Sequence, residues 1–364
     1  MRKAIYLAVM AAVCLFTSEG YGQLSRRSIK KNNRQLSTYR GDKFHFGKDK
    51  TYNAIGFSVN ALNYYGDLAP KPNRFSTDIS FTRPAFAVSY AHRFGPRYTL
   101  VGAFMYGTLS GSDTKSADEG DAENAFFRYQ RNLSFRNRIK ELSLIASFDL
   151  FENSSSYLSR VAWTPYAFVG VAVFHHNPQA QVPATQVDGI TPFSNAGEWV
   201  NLRPLGTEGQ NANLLPTDAN AGIKSYNLIQ PAIPFGVGVR FRVNTLVDIA
   251  AEFGFRYLFT DYIDDVSQSY VDLGVFGDNE LAKAMSYRTF ELPQYNPAVN
   301  PSILHAYTGR DNRQYMALPG YGEEFKNDVT SNIRGNKNDK DIYTVFTIRG
   351  TYIIGKSIHR AKFR

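Results

Sequence analysis

The sequence predicts an all-β protein: a transmembrane, up-and-down antiparallel β-barrel of eight strands with long extracellular loops. Three observations carry this expectation. Eight segments alternate apolar with polar or small residues, at the period of two that belongs to strands. The connections between them are short and long by turns, as in barrels with short periplasmic turns and longer extracellular loops. Beyond Gly22, no stretch has the ~20 consecutive apolar residues of a membrane-crossing helix, so a membrane chain of this composition crosses with strands. Aromatic residues make up 14% of the 364, which suits strands better than helices.

Residues 1–22 read as a secretory signal peptide. Arg2 and Lys3 precede an apolar run from Ala4 to Phe16, and Gly20-Tyr21-Gly22 supplies the small-x-small cleavage site. Residues 23–51 form a basic arm whose charges include Arg26, Arg27, Lys30, Lys31, Arg34 and Arg40. It reads either as a solvated tail or as an arm that docks on a partner or on anionic lipid. The barrel is expected over 52–353, with a short tail at 354–364. Strand one, 52–65, sets Ile55, Phe57 and Val59 against Gly56, Ser58 and Asn60, and strand two covers 84–94. The turn at Gly95-Pro96 leads into strand three, 98–109. Strand four, 139–150, opposes Leu142, Leu144, Ala146 and Phe148 to Glu141, Ser143, Ser147 and Asp149. Strand five, 164–174, is apolar on both faces and small on one. Strand six, 230–243, sets Ile233, Phe235, Val237, Val239 and Phe241 against Gly236, Gly238, Arg240 and Arg242. Asn244-Thr245 turns into strand seven, where Val247, Ile249, Phe253, Phe255 and Tyr257 alternate with Asp248, Glu252, Gly254 and Arg256. Strand eight covers 341–353. The loops 66–83, 110–138, 175–229 and 261–340 fall on one side, and Asn279 to Met285 in the last is patterned for one or two helical turns.

In a small closed barrel the apolar face meets lipid and the mixed face fills the interior. Glu141, Asp149, Arg240, Arg242, Asp248, Glu252 and Arg256 are therefore expected to form a luminal ion network, acids opposite bases. Asp248, Glu252 and Arg256 also have the spacing of a helical ion-pair row. A helix there would scatter the apolar residues around its circumference and place Gly254 in its middle, which favours the strand.

The only cysteine, Cys14, lies inside the signal peptide between Val13 and Leu15, a context unlike a lipoprotein site. The mature chain then has no thiol for disulfides, metal or catalysis. The formal charge is +9, and loss of Arg2, Lys3 and Glu19 makes it 9 − 2 + 1 = +8. An exported chain rarely meets nucleic acid, so no nucleic-acid partner is expected. No Walker loop, GxSxG elbow or HExxH is present. His175 and His176 are adjacent, so in a strand they face opposite ways, and His92 has no nucleophile beside it in sequence. Asp261, Asp264 and Asp265 form an oxygen-rich run that could suit Ca²⁺, without EF-hand spacing. No enzyme activity and no cofactor are expected. A small-solute pore, a membrane-embedded enzyme and a soluble sandwich remain as alternatives.

Six stretches carry a resemblance: NALNYYGDLAP (60–70), RNLSFRNRIKELSLIASFDLF (131–151), TPYAFVGVAVFHHNPQA (164–180), PLGTEGQ (204–210), YNLIQPAIPFGVGVRF (226–241) and RYLFTDYIDDVS (256–267). In this order they resemble the PorG-type outer-membrane β-barrels of Bacteroidetes, over essentially the whole mature chain. The resemblance implies an integral outer-membrane component of the type IX (Por) secretion machinery, which also serves gliding motility. It implies a non-enzymatic scaffold with periplasmic termini, in contact with a PorK-type lipoprotein and a PorN-type periplasmic ring protein as well as outer-membrane lipid. The family's tails contain a cysteine where this chain reads Ser357-Ile358-His359-Arg360-Ala361, so a covalent tether to a partner is not to be expected here.

Overall fold

Alternation at period two, sustained over more than ten residues in each of eight segments, can be satisfied on both faces only if the sheet closes. The computed structural model shows that closure; it describes residues 50–68, 81–117, 120, 126–153, 157–218, 220–319, 321, 333–338 and 340–354. The signal peptide, the docking-arm residues Arg26, Arg27, Lys30, Lys31, Arg34 and Arg40, and the tail beyond 354 lie outside the described residues.

The strands are β1 (Tyr52–Tyr65), β2 (Arg83–Arg93), β3 (Tyr98–Ser112), β4 (Ser134–Asp149), β5 (Trp163–His175), β6 (Pro178–Gln181), β7 (Trp199–Asn201), β8 (Ile229–Arg242), β9 (Val247–Leu258), β10 (His305–Thr308), β11 (Gln314–Ala317) and β12 (Ile342–Ile354). Eight of them build the barrel. The order β1-β2-β3-β4-β5-β8-β9-β12 is an antiparallel meander, and β12 pairs back onto β1, with Val59 opposite Ile348. The fold is thus a closed eight-stranded up-and-down barrel, with no free edge in its wall.

The wall has two unlike surfaces. Facing out are Ile55, Phe57, Val59, Val88, Leu142, Val171, Val237, Phe253 and Ile348, with exposures that reach 64% at Leu142 and 65% at Val171. A water-soluble protein does not expose so continuous an apolar surface, whereas a lipid-facing belt requires one. Aromatic pairs edge the belt near the short turns, including Phe94 with Tyr98 (6.0 Å), Tyr98 with Phe148 (5.4 Å) and Phe151 with Trp163 (5.0 Å). Rings at this depth suit the lipid–water interface, where one side is apolar and the other wet. These turns, 94–97, 150–162 and 243–246, share one end of the barrel with Tyr52 and Ile354, where the described chain enters and leaves.

The other end departs from the expected boundaries. β3 continues to Ser112 and β4 already begins at Ser134, making β4 16 residues long, well beyond the ~9–11 that cross a bilayer. The reason is visible on β4. Phe135, Asn137 and Ile139 keep pointing inward and are buried, while the intervening Arg136 and Arg138, whose charges resemble those of a loop, simply point outward. β6 and β7 extend this wall from β4, and β10 with β11 forms a separate hairpin within the last loop. The helical turns foreseen around Asn279 are a helix at Glu280–Ser286, capped by the Asn279 side chain, which accepts from the Ala282 amide at 3.0 Å.

On strand five the face of smaller residues, Ala167, Val169, Val171 and Val173, is the outer one, and Tyr166, Phe168 and Phe174 point inward and are buried. Glycines on the neighbouring strands β8 and β9 make the room. A Cβ at Gly254 would stand 2.9 Å from Phe168 Cζ, and one at Gly238 2.7 Å from Tyr166 Cζ.

Candidate functional site: a filled lumen under a loop cap

Inward-pointing residues meet in layers along the axis. Nearest the short turns, Asp149 accepts from Arg93 at 2.6 Å and from Arg240 at 3.2 Å. Arg160, from the turn after β4, closes on Asp248 at 2.7 Å. One layer up, Glu252 accepts from the Tyr166 hydroxyl at 2.6 Å and from Arg349 at 2.9 Å, while Arg240 lies 4.8 Å over the Tyr166 ring. Above that, Glu141 receives Arg256 Nε at 3.0 Å and the Tyr343 hydroxyl at 2.6 Å. Each carboxylate thus faces a guanidinium, and two also take a phenol, which is what makes such ions tolerable in a low-dielectric interior.

Six of the seven residues expected in the lumen network are brought together: Glu141, Asp149, Arg240, Asp248, Glu252 and Arg256. Arg242 is the exception. It is exposed at the short-turn end and donates to the Arg160 carbonyl instead of a carboxylate. Three members of the network lie outside the expected set: Arg93, Arg160 and Arg349. Arg349 was legible, since the alternation Tyr343, Val345, Thr347 continues inward to it. Arg160 was not, because it sits in a turn that no periodicity reaches.

Above the ions the lumen is apolar. Leu62, Met105, Leu109, Ile139, Phe174 and Leu258 form one buried cluster, and Ile263 and Val266 join it from the loop that follows β9. That loop therefore turns down into the mouth as a plug. Asn137 holds it, donating to the Ile263 carbonyl at 2.6 Å.

Two of the plug's carboxylates, Asp264 and Asp265, belong to separate hydrogen-bond networks. Asp264 and Asp341 each lie 2.7 Å from the Tyr64 hydroxyl. One hydroxyl proton serves only one acceptor, so the second contact requires a proton on a carboxyl. Burial, followed by each group's acidic neighbours, pushes both aspartates well above the usual carboxylate range. Asp261 is buried, and desolvation pushes it up to about 7. Asp265 belongs to the second network, where the Tyr226 and Thr207 hydroxyls donate to it, and burial raises it to about 6. Among the described residues, no group of three or more His, Cys, Asp or Glu side chains is placed to hold a metal ion.

A further ion pair ties the loops together. Arg334, from the segment before β12, meets Glu208 at 2.8 Å and donates to the Asp265 carbonyl at 2.7 Å. Its own carbonyl accepts from Arg131, which pairs with Asp113 at 2.8 Å. Of the histidines His92 stands apart from these networks, and His176 borders the second through Tyr226. His92 Nδ1 is 2.6 Å from Asn53 Oδ1, and His176, held near 4 by burial, stacks on Tyr226.

A remaining cavity of about 50 Å³ lies among Tyr52, Tyr166, Arg240, Asp248, Glu252 and Arg349. It has room for a few water molecules.

Comparison with known proteins adds the following. The model of a domain of unknown function, DUF6089, matches residues 45–189, less than half of the chain. No curated protein sequence matches. Among solved structures, a major outer membrane protein from Thermus thermophilus is similar at 10% identity and a TM-score of 0.34, over 83% of this chain and 99% of that one. Neisserial surface protein A is similar at 7% identity and 0.32, over 82% and 96%. OprG from Pseudomonas aeruginosa is similar at 8% and 0.31, over 85% and 98%. At such values nothing about ligands or partners carries across, and the barrel assignment rests on the closed hydrogen-bond ladder and the apolar belt. An integral outer-membrane location fits both.

Proposed function

We propose that this barrel is a non-enzymatic outer-membrane anchor for a protein-secretion assembly of the type IX kind. In this role it would hold a PorK-type lipoprotein and a PorN-type ring protein from its short-turn side. The supporting observation is the filled lumen. Between the ion layers, the apolar cluster and the Ile263 plug lie small cavities of about 50 and 20 Å³, so the barrel offers a rigid membrane body in place of a solute path. The resemblance of the stretches at 60–70, 131–151, 164–180 and 226–241 to PorG-type barrels supplies the choice of assembly. With periplasmic termini, the basic arm at 23–51 and the turn at 150–162 would share the face that meets the ring.

The test is co-purification from native membranes in mild detergent, read by mass spectrometry. Recovery of a lipoprotein with a large periplasmic ring protein is expected, and deletion of 23–51 should release both while the barrel stays folded. Recovery of the barrel alone, where other outer-membrane complexes survive, would overturn the anchor reading. Steady conductance in planar bilayers would replace it with the pore.

A further inference from the structure

The outward face of β4 changes character at one residue. Phe148, Leu144 and Leu142 belong to the exposed apolar belt. Continuing along the same face come Lys140 and Arg138, both exposed, and then the half-buried Arg136. Among the described residues, none of the three forms an ion pair with a carboxylate. Their neighbours across the ladder carry no negative charge: Tyr106, Thr108 and Ser110 on β3, His175 beside Lys140 on β5, and Gln179 beside Arg136 on β6. Arg136 stacks 3.7 Å over the Trp199 ring and donates to Gln179 at 3.1 Å, which fixes its guanidinium on the outer surface.

The rest of this rim is different. Outward positions there include Asn63, Pro84, Ile229 and Tyr257, all uncharged, and elsewhere in the wall Arg93, Asp248, Glu252 and Arg256 turn inward and are buried. One strand therefore concentrates three outward cations over a rise of about 14 Å. At the usual barrel tilt of ~45° this covers about 10 Å along the membrane normal, comparable with the polar layer that begins where the hydrocarbon ends.

We propose that the Lys140, Arg138 and Arg136 ladder binds the phosphate-bearing headgroup of an anionic lipid in the leaflet on the long-loop side. The ladder starts flush with the belt, where the next molecule outward is a lipid, and among the described residues no carboxylate pairs with its cations. Trp199 and Gln179 hold the outermost cation in place before the lipid arrives.

The probe is diphosphorylated lipid A, titrated into the full-length protein in uncharged detergent micelles and followed by the fluorescence of Trp199 in a Trp163→Phe background. Saturable binding is expected, weakening steeply with added salt. The triple variant R136Q/R138Q/K140Q should bind on the order of 100-fold more weakly, at about fivefold per cation lost. The charge-preserving R136K/R138K should stay within a few-fold of the parent, and the heat-dependent gel mobility of a folded barrel checks both variants. The proposal is overturned if the triple variant binds like the parent. It is also overturned if inorganic phosphate competes at equal concentration, which would make this a free-phosphate site, or if an acidic peptide displaces the lipid.

Discussion

Replacing Glu141 by Gln removes one charge from the lumen and little volume. Glu141 and Arg256 are 1% and 8% exposed, and the carboxylate is the ion-pair partner of that guanidinium. The amide oxygen of Gln still accepts from Tyr343, so the loss is the charge alone. Breaking a buried pair from one side costs about 3–5 kcal/mol, because the remaining ion stays desolvated without compensation. The retained hydrogen bond places this case near the lower end, about 3 kcal/mol. Removing the second charge as well, in Glu141→Gln with Arg256→Met, should recover all but about 1 kcal/mol, since an uncharged core of similar volume serves as well as an ion pair. The assay is urea unfolding in lipid vesicles, following the folded band by gel mobility for both single variants and the double. A coupling energy of about 2 kcal/mol or more is expected. If the two single losses simply add, the layered pairing of the lumen is not what stabilises the wall.

Two further outcomes follow from the same geometry. Asp261, Asp264, Asp265 and Asp341 all have carboxyls raised by burial, so their protonated forms favour the plugged state. That contribution is complete below about 4 and is lost as pH rises through the folded values of about 6 for Asp265 and about 7 for Asp261. Allowing for solvent screening, the Asp261 part is about 2 kcal/mol. Amide protection factors at Ile263 and Val266 should therefore fall between pH 5 and 8, and less so in Asp261→Asn; protection that rises over this range would refute the sign. In the belt, Leu144→Arg should cost about 2–4 kcal/mol in vesicles, as for a cation on the lipid face near mid-membrane. A cost within about 0.5 kcal/mol would mean that Leu144 faces water.

The wall was legible because a strand writes its two faces into every second residue. Phe253 and Phe255 against Glu252, Gly254 and Arg256 leave little choice of which side is inside. The partners were not legible, because Arg256 meets Glu141 across the lumen only after closure sets the stagger of β9 against β4. The plug was hidden for a different reason. Ile263 and Val266 are isolated apolar residues among aspartates, and no periodicity distinguishes a residue that returns to the core from one that does not. The acidic run beside it suggested a cation site by composition, whereas the fold divides Asp264 and Asp265 between separate hydrogen-bond networks.

The Arg334 tie changes what an antibody would meet on the long-loop end of the purified barrel. Glu208, Asp265 and Arg334 come from distant parts of the chain yet are locked at hydrogen-bond distance, so the surface above them is a mosaic whose tiles have fixed relative positions. Antisera raised against linear peptides from any one of these loops should recognise the folded barrel poorly. A binder selected on the intact protein should lose its epitope when the single residue Arg334 is changed, although it need never touch that residue.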